Sequence, residues 1–154
     1  MWRNLLERSY QFAQKWTSPD LLRRMWPRPR SLGERGEDAA ARFLRRRGYR
    51  LVARRHRLAW GELDLVAVDG RTIVFVEVKT RRTHDSGSPA EAVSPTKQRQ
   101  IGRLALGFLK FHGLLEYPTR FDVVAITWPA GARRPSVSHL VDAFRPPGVG
   151  GLYG

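Results

Sequence analysis

Two apolar, β-branched runs, "ELDLVAV" and "RTIVFVEVKT", meet at Asp69-Gly70 within residues 61–80. Such a dipeptide between such runs is the strongest short-range sign of a β-hairpin, because glycine takes the positive φ that a tight turn demands. With Asp69 and Gly70 as the two loop residues, Val68 faces Arg71, Val66 faces Ile73, Asp64 faces Phe75 and Glu62 faces Glu77. One face then carries Leu63, Leu65, Ala67, Val74, Val76 and Val78. The other carries Val66, Val68, Ile73 and Phe75 near the turn, and Glu62, Asp64, Glu77 and Lys79 toward the open end. Both faces are apolar for most of their length, so the fold must cover this sheet on both sides. The acidic cluster falls where the covered sheet meets its edge.

The flanking segments supply that cover. "SLGERGEDAAARFLRRRGY" opens on Ser31 and an acidic turn, shows Ala39, Ala40, Phe43 and Leu44 as an apolar face, and stops at Gly48; it reads as a helix, with Glu37 in its first two turns. "RLVARRHRL" reads as a strand before the hairpin. "RRTHDSGSPAEAV" is a polar loop, after which Ser94 and Pro95 start a second helix with Ile101, Leu104, Ala105, Phe108 and Leu109 as its buried stripe. "RFDVVAITW" and "SVSHLVDAF" read as fourth and fifth strands. The order αβββαβ(β) implies an α/β domain, a mixed β-sheet flanked by helices, over residues 31–145.

Residues 1–30 lie outside that domain. Trp2, Leu6, Tyr10, Ala13 and Trp16 form a helical stripe that ends in "MWPRPR". It reads as a helix docked on its own domain, as an interfacial helix on a membrane or a protein partner, or as a disordered extension. Residues 146–154 are rich in Gly and Pro and are expected to form a flexible tail.

The open end of the hairpin raises a question of chemistry. In the register above, Asp64 and Glu77 are diagonal neighbours with Cβ atoms about 7 Å apart, near enough to reach one cation. Glu62 opposite Glu77 is a like-charge pair that a divalent ion would relieve. With no cysteine in the chain and no close histidine pair, the ion suited to these oxygens is Mg²⁺ or Mn²⁺. Lys79, two residues past Glu77 on the same face, can orient a water or stabilise charge growing on a phosphate. The alternative is a strand end whose charges are simply solvated.

Asp64 followed by Glu77-Val78-Lys79 resembles the Asp…Glu-x-Lys signature of the PD-(D/E)xK nuclease superfamily. The series "GERGEDAAARFLRRRGY", "GELDLVAVDG", "TIVFVEVKTRR" and "RFDVVAI" resembles the YraN-like family, whose fold is similar to archaeal Holliday junction resolvases. The resemblance spans residues 31–144 and implies a restriction-endonuclease-like core. It also implies Asp64 and Glu77 as metal ligands, the Val78 carbonyl as a third, Lys79 as the catalytic lysine and Glu37 as the acid that completes the site. Leu63 stands where the superfamily often has proline, and Glu62 fills a motif position to which no role attaches. The implied activity is metal-dependent hydrolysis of phosphodiesters in structured or branched DNA, by a homodimer. A non-cleaving nucleic-acid-binding protein on the same fold is the alternative.

Charge favours a polyanionic partner, whether DNA, RNA or an anionic membrane surface. The 154 residues hold 28 Lys and Arg against 14 Asp and Glu, a net charge of +14, mostly from arginines whose forks match phosphate. Arg54, Arg55 and Arg57 on the strand before the hairpin, with Arg81 and Arg82 leaving it, are expected to form a phosphate-binding rim, and Lys97 and Arg99 to add contacts at the second helix. DNA is favoured over RNA. His56, His84, His112 and His139 lack metal-ligand spacing and read as structural or exposed. Asp122 reads as a buried strand acid paired with Arg120. No run approaches the roughly 20 apolar residues of a membrane span, and residues 1–16 lack a signal-peptide pattern, so a cytoplasmic location is expected.

Overall fold

The computed structural model describes residues 29–83 and 93–149. The N-terminal stripe, His84 and the end of the Gly/Pro-rich segment lie outside the described residues. In chain order the elements are α1 (Leu32–Arg46), β1 (Arg50–Leu58), β2 (Gly61–Asp69), β3 (Thr72–Arg81), α2 (Pro95–His112), β4 (Thr119–Thr127) and β5 (Ser136–Leu140). The strands form one five-stranded sheet in sequential order, antiparallel except between β3 and β4, which run parallel because α2 carries the chain back. This is the expected mixed α/β arrangement.

Both helices start where their sequences indicate. The Ser31 hydroxyl accepts from the Glu34 amide at 3.1 Å while the Glu34 carboxylate accepts from the Ser31 amide at 2.8 Å, a reciprocal cap that satisfies two otherwise unpaired donors. Ser94 caps α2 by accepting from the Lys97 amide, Pro95 follows at a position that needs no donor, and Gly113 ends the helix at φ +67°. Each helix covers one face of the sheet. Ala39, Ala40, Ala41 and Leu44 of α1 pack with Leu65, Ala67, Val74, Val76, Val124 and Ile126. Ile101, Leu104, Ala105, Phe108 and Leu109 of α2 pack with Val66, Ile73, Phe75, Phe121 and Val123.

The hairpin register differs from expectation by two residues. Asp69 pairs with Thr72 and Val68 with Ile73, so Gly70 and Arg71 are the loop residues. Gly70 has φ +59° and Arg71 does not share a positive φ, as in a turn with glycine at its first central position rather than its second. Asp69 therefore belongs to the strand, where its carboxylate accepts from Arg120 at 3.2 Å. A shift of two preserves the faces but moves the acids: continued past the last ladder pair, Leu65–Val76, the register sets Asp64 level with Glu77 and takes Glu62 away from it.

A second departure concerns Leu63, expected on the face of Leu65. Leu65 packs on the α1 side, as does its partner Arg54, which pairs with Asp38 of α1. Leu63 packs on the α2 side, as does its partner His56, whose ring meets Phe108 edge-on at 5.1 Å. Arg55 lies between, at φ +47°, a conformation costly for a residue with a Cβ. The faces exchange across the level of Arg55 and Asp64 although the pairing register is continuous there; the ladder's own shift lies earlier, between Leu51 and Ala53.

The C-terminal segment is packed as far as Val149, and the rest of the expected tail lies outside the described residues. Val149 and Phe144 join the α2-side core, and a Cβ at Gly102 would stand 2.6 Å from Pro146. The bare backbone of Gly102 lets this segment lie against the helix.

Candidate functional site

The open end of the hairpin lies where both helices begin. A Cβ on Gly36 of α1 would stand 2.8 Å from the Thr80 Cβ, so the first turns of α1 sit directly on the end of β3. On the other face, Lys97, in the first turn of α2, places its Nζ 3.6 Å from Glu77 Oε1. Between these two helix starts stand Asp64, Glu77 and Lys79.

Glu77 is 5% exposed, and burying a carboxylate is costly unless it is paired. Two ammonium groups pair with it: Lys79 Nζ at 2.9 Å and Lys97 Nζ at 3.6 Å, both on Oε1. Asp64 is treated differently. Its Oδ2 accepts from the Val78 amide at 2.8 Å, and among the described residues no ammonium pairs with it. Burial, and then the neighbouring Glu77 charge, push its pKa up to about 7; Glu37 adds to the rise, while the Val78 amide and Lys97 oppose it. Two carboxylates close together at the end of a covered sheet, one with its pKa raised by burial and by its neighbour, are typical of acid–base or cation-binding sites.

Glu37 points at Arg55. Its Oε2 accepts from Arg55 Nε, and the same guanidinium donates to the Glu34 carbonyl at 3.2 Å. The left-handed backbone of Arg55 is what turns this side chain toward α1. Glu37 thus lies near enough to influence Asp64 but is engaged by a cation. Among the described residues no three His, Cys, Asp or Glu side chains gather closely enough to hold a metal by themselves.

The expected arginine rim is only partly present. Arg54 pairs with Asp38, Arg55 with Glu37, and Arg57 with Glu62 at 2.7 Å. These three charges are directed to carboxylates, and the pairing with Arg57 gives Glu62 a partner. Arg82 and Arg99 are exposed, Arg81 is half-buried at the end of β3, and Lys97 is drawn to Glu77 rather than standing free at the helix start. Arg103, one turn beyond Arg99 on α2, is exposed as well; the i, i+4 spacing of these two arginines is a signal the sequence carried without its being used.

The remaining singled-out residues are structural. Asp122 is fully buried and takes Arg120 Nε at 2.9 Å, His139 Nε2 at 2.8 Å and the Asp142 amide at 2.9 Å. Burial alone would raise its pKa, but the His139 and Arg120 hydrogen bonds hold it below 3.8. His56 and His112 pack around Phe108, and burial lowers the His56 pKa.

Comparison with known proteins gives one consistent answer. The model of UPF0102, described as an uncharacterised protein family, matches residues 36–126, the span from α1 through most of β4 that holds Glu37, Asp64, Glu77 and Lys79. A UPF0102 protein of Geobacter sulfurreducens is 51% identical over 113 residues, 73% of this chain and 88% of its own length. Another, from Rhodopirellula baltica, is 48% identical over 126 residues, 80% and 75% of the two chains. A third, from Symbiobacterium thermophilum, is 53% identical over 97 residues, 63% and 82% of the two chains.

Proposed function

The chain belongs to the uncharacterised protein family UPF0102, the YraN-like family, and we propose that it is a metal-dependent endonuclease acting on structured or branched DNA through a PD-(D/E)xK-type site. The observation that carries this reading is the meeting of Asp64 and Glu77 at one end of the sheet, with the Lys79 ammonium on Glu77.

The donors suit a hard divalent cation. Asp64 and Glu77 offer carboxylate oxygens and Val78 a backbone carbonyl, the ligand set preferred by Mg²⁺ or Mn²⁺. The raised proton affinity of Asp64 is the mark of a carboxylate without a cation of its own, and a divalent ion would meet that need. When bound, the ion supplies charge neutralisation at a scissile phosphate and activation of water. Glu37 can join only by leaving Arg55.

The chain's own residues do the rest. Lys97 remains a partner of the buried Glu77 carboxylate when Lys79 turns to the substrate, so Lys79 is free to orient the attacking water or meet the charge that grows on phosphorus. The Val78 amide fixes the Asp64 carboxylate against β3. Arg82 and Arg99 provide exposed cations for the backbone of the nucleic acid, which gives affinity without base reading. The resolvase resemblance extends the proposal to a homodimer.

The alternative, a nucleic-acid-binding protein that does not cut, draws on the pairing of Glu37 with Arg55 and on the lack of a three-ligand group among the described residues. A cleavage assay separates the two. Single-strand, duplex, flap and four-way-junction DNA and a matched RNA are incubated with Mg²⁺ or Mn²⁺ and with wild-type, Asp64→Ala or Lys79→Ala protein. Structure-selective cutting lost in both variants supports the nuclease. Binding without cutting, or cutting that survives both substitutions, overturns it.

A further inference from the structure

On the far side of the first turns of α2 lies a groove of about 460 Å³, lined by Trp60, Thr96, Arg99, Gln100 and Arg103. We propose that this groove takes an unpaired nucleotide of a DNA strand, its base stacked on the Trp60 indole and its flanking phosphates on Arg99 and Arg103. The inference rests on the nucleic-acid reading above and deepens it, because it assigns a strand-binding position beside the candidate site.

Trp60 is 60% exposed, unusual for so large an apolar ring. It is nevertheless held in place. Its carbonyl accepts from Gln100 Nε2 at 3.3 Å. A Cβ at the next residue, Gly61, would stand 2.9 Å from that same nitrogen and 3.1 Å from Leu104, so the β1–β2 turn is pressed onto α2. A Cβ on Gly107 would lie 3.8 Å from the indole Cζ2, which shows the ring resting beside a helix position with no side chain to bury it. The result is a rigid aromatic surface, presented rather than covered.

The cations beside it are equally available. Arg99 and Arg103 are exposed, and neither pairs with a carboxylate among the described residues, unlike Arg54, Arg55 and Arg57. Arg99 makes a 3.3 Å hydrogen bond to Thr96 Oγ1, which steadies one guanidinium at the groove. Their i, i+4 spacing puts them about 6 Å apart along one face of the helix. A largely exposed ring and two guanidinium groups lining one groove match a base and its flanking phosphates, the recurring design of single-strand binding surfaces. An acidic peptide would use the arginines but leave the ring without a planar partner. The groove adjoins the chemistry: Thr96 precedes Lys97, which touches Glu77.

The test is fluorescence anisotropy in EDTA, so that cutting plays no part, with a labelled single strand, its perfect duplex, and that duplex carrying one unpaired base. Trp60→Ala is expected to weaken the single strand and the bulged duplex by roughly five- to a hundredfold while leaving the perfect duplex unchanged, and Trp60→Phe to retain most of the affinity. Arg103→Ala should weaken all three and lower the salt dependence by about one phosphate contact. Wild-type binding that Trp60→Ala leaves unaltered, or lowers equally for all three DNAs, overturns the groove but spares the nuclease reading. Failure of the wild type to bind the single strand and the bulged duplex also overturns the groove, whereas the nuclease reading is decided separately by the metal-containing cleavage assay and its loss in Lys79→Ala.

Discussion

Replacing Asp64 by asparagine should make the protein more stable above neutral pH. The folded state holds the Asp64 pKa at about 7 against an ordinary 3.8, chiefly through burial and the Glu77 charge. A raised carboxyl pKa means that the folded state binds more protons than the unfolded one between about pH 4 and 7, so stability declines through that window as pH rises. At ~1.4 kcal/mol per tenfold change in proton affinity, the ceiling on this cost is about 4 kcal/mol; the residual contact of Asp64 with water reduces the expected value to the order of 2 kcal/mol. Asparagine keeps an oxygen for the Val78 amide while removing the charge. Thermal unfolding followed by circular dichroism in EDTA should show matching stability near pH 4 and a variant melting several degrees above wild type near pH 8. Two profiles that run parallel across the range, or a variant less stable at pH 8, would refute the reasoning. Added Mg²⁺ should raise the wild-type midpoint at pH 8 and leave the variant's unmoved, because only the wild type carries both carboxylates.

Three further expectations follow from local geometry. Lys79→Ala and Lys97→Ala should each cost about 1 kcal/mol in urea unfolding and the double variant more than their sum, since the second loss strands the buried Glu77 charge; strict additivity would contradict the shared pairing. Gly36→Ala should destabilise by about 2 kcal/mol although alanine is the better helix former, because the new Cβ meets Thr80, and the penalty should shrink in a Thr80→Gly background; a stabilised Gly36→Ala variant would show the contact to be loose. Asp122→Asn should cost about 3 kcal/mol at neutral pH by unbalancing Arg120 and His139; because this carboxyl is held below 3.8, its contribution is complete above about pH 4 and lost as pH falls through the folded value, so the gap between variant and wild type should close in acid.

The strand, helix and hairpin pattern was legible because periodicity reports burial directly: alternation in "GELDLVAV" and the stripe from Ile101 to Leu109 each mark a surface that must be covered. The caps at Ser31 and Ser94 were legible for a similar reason, since each is satisfied within three residues. The identity of Asp64, Glu77 and Lys79 as a group also came from the chain alone, because residues near the open end of a hairpin meet whatever the exact register.

What the chain alone could not set was everything that depends on partners distant in sequence. The turn could place Asp69 in the loop or the strand on local grounds, and Arg120, 51 residues away, is among the contacts that hold it in the strand. That choice moved Asp64 from a diagonal to a level position with Glu77. Arg55 reads as an ordinary strand arginine, yet the carboxylates of α1 meet it in a left-handed conformation, and at its level Leu63 packs in the core opposite to that of Leu65. The same long-range pairing decided which cations remain for a ligand: Arg54, Arg55 and Arg57 have carboxylate partners, whereas Arg99 and Arg103 stand beside an exposed Trp60. Composition counts charges, but only the tertiary structure neutralises some and leaves others free, because ion pairing acts over a few ångströms in space without regard to separation along the chain.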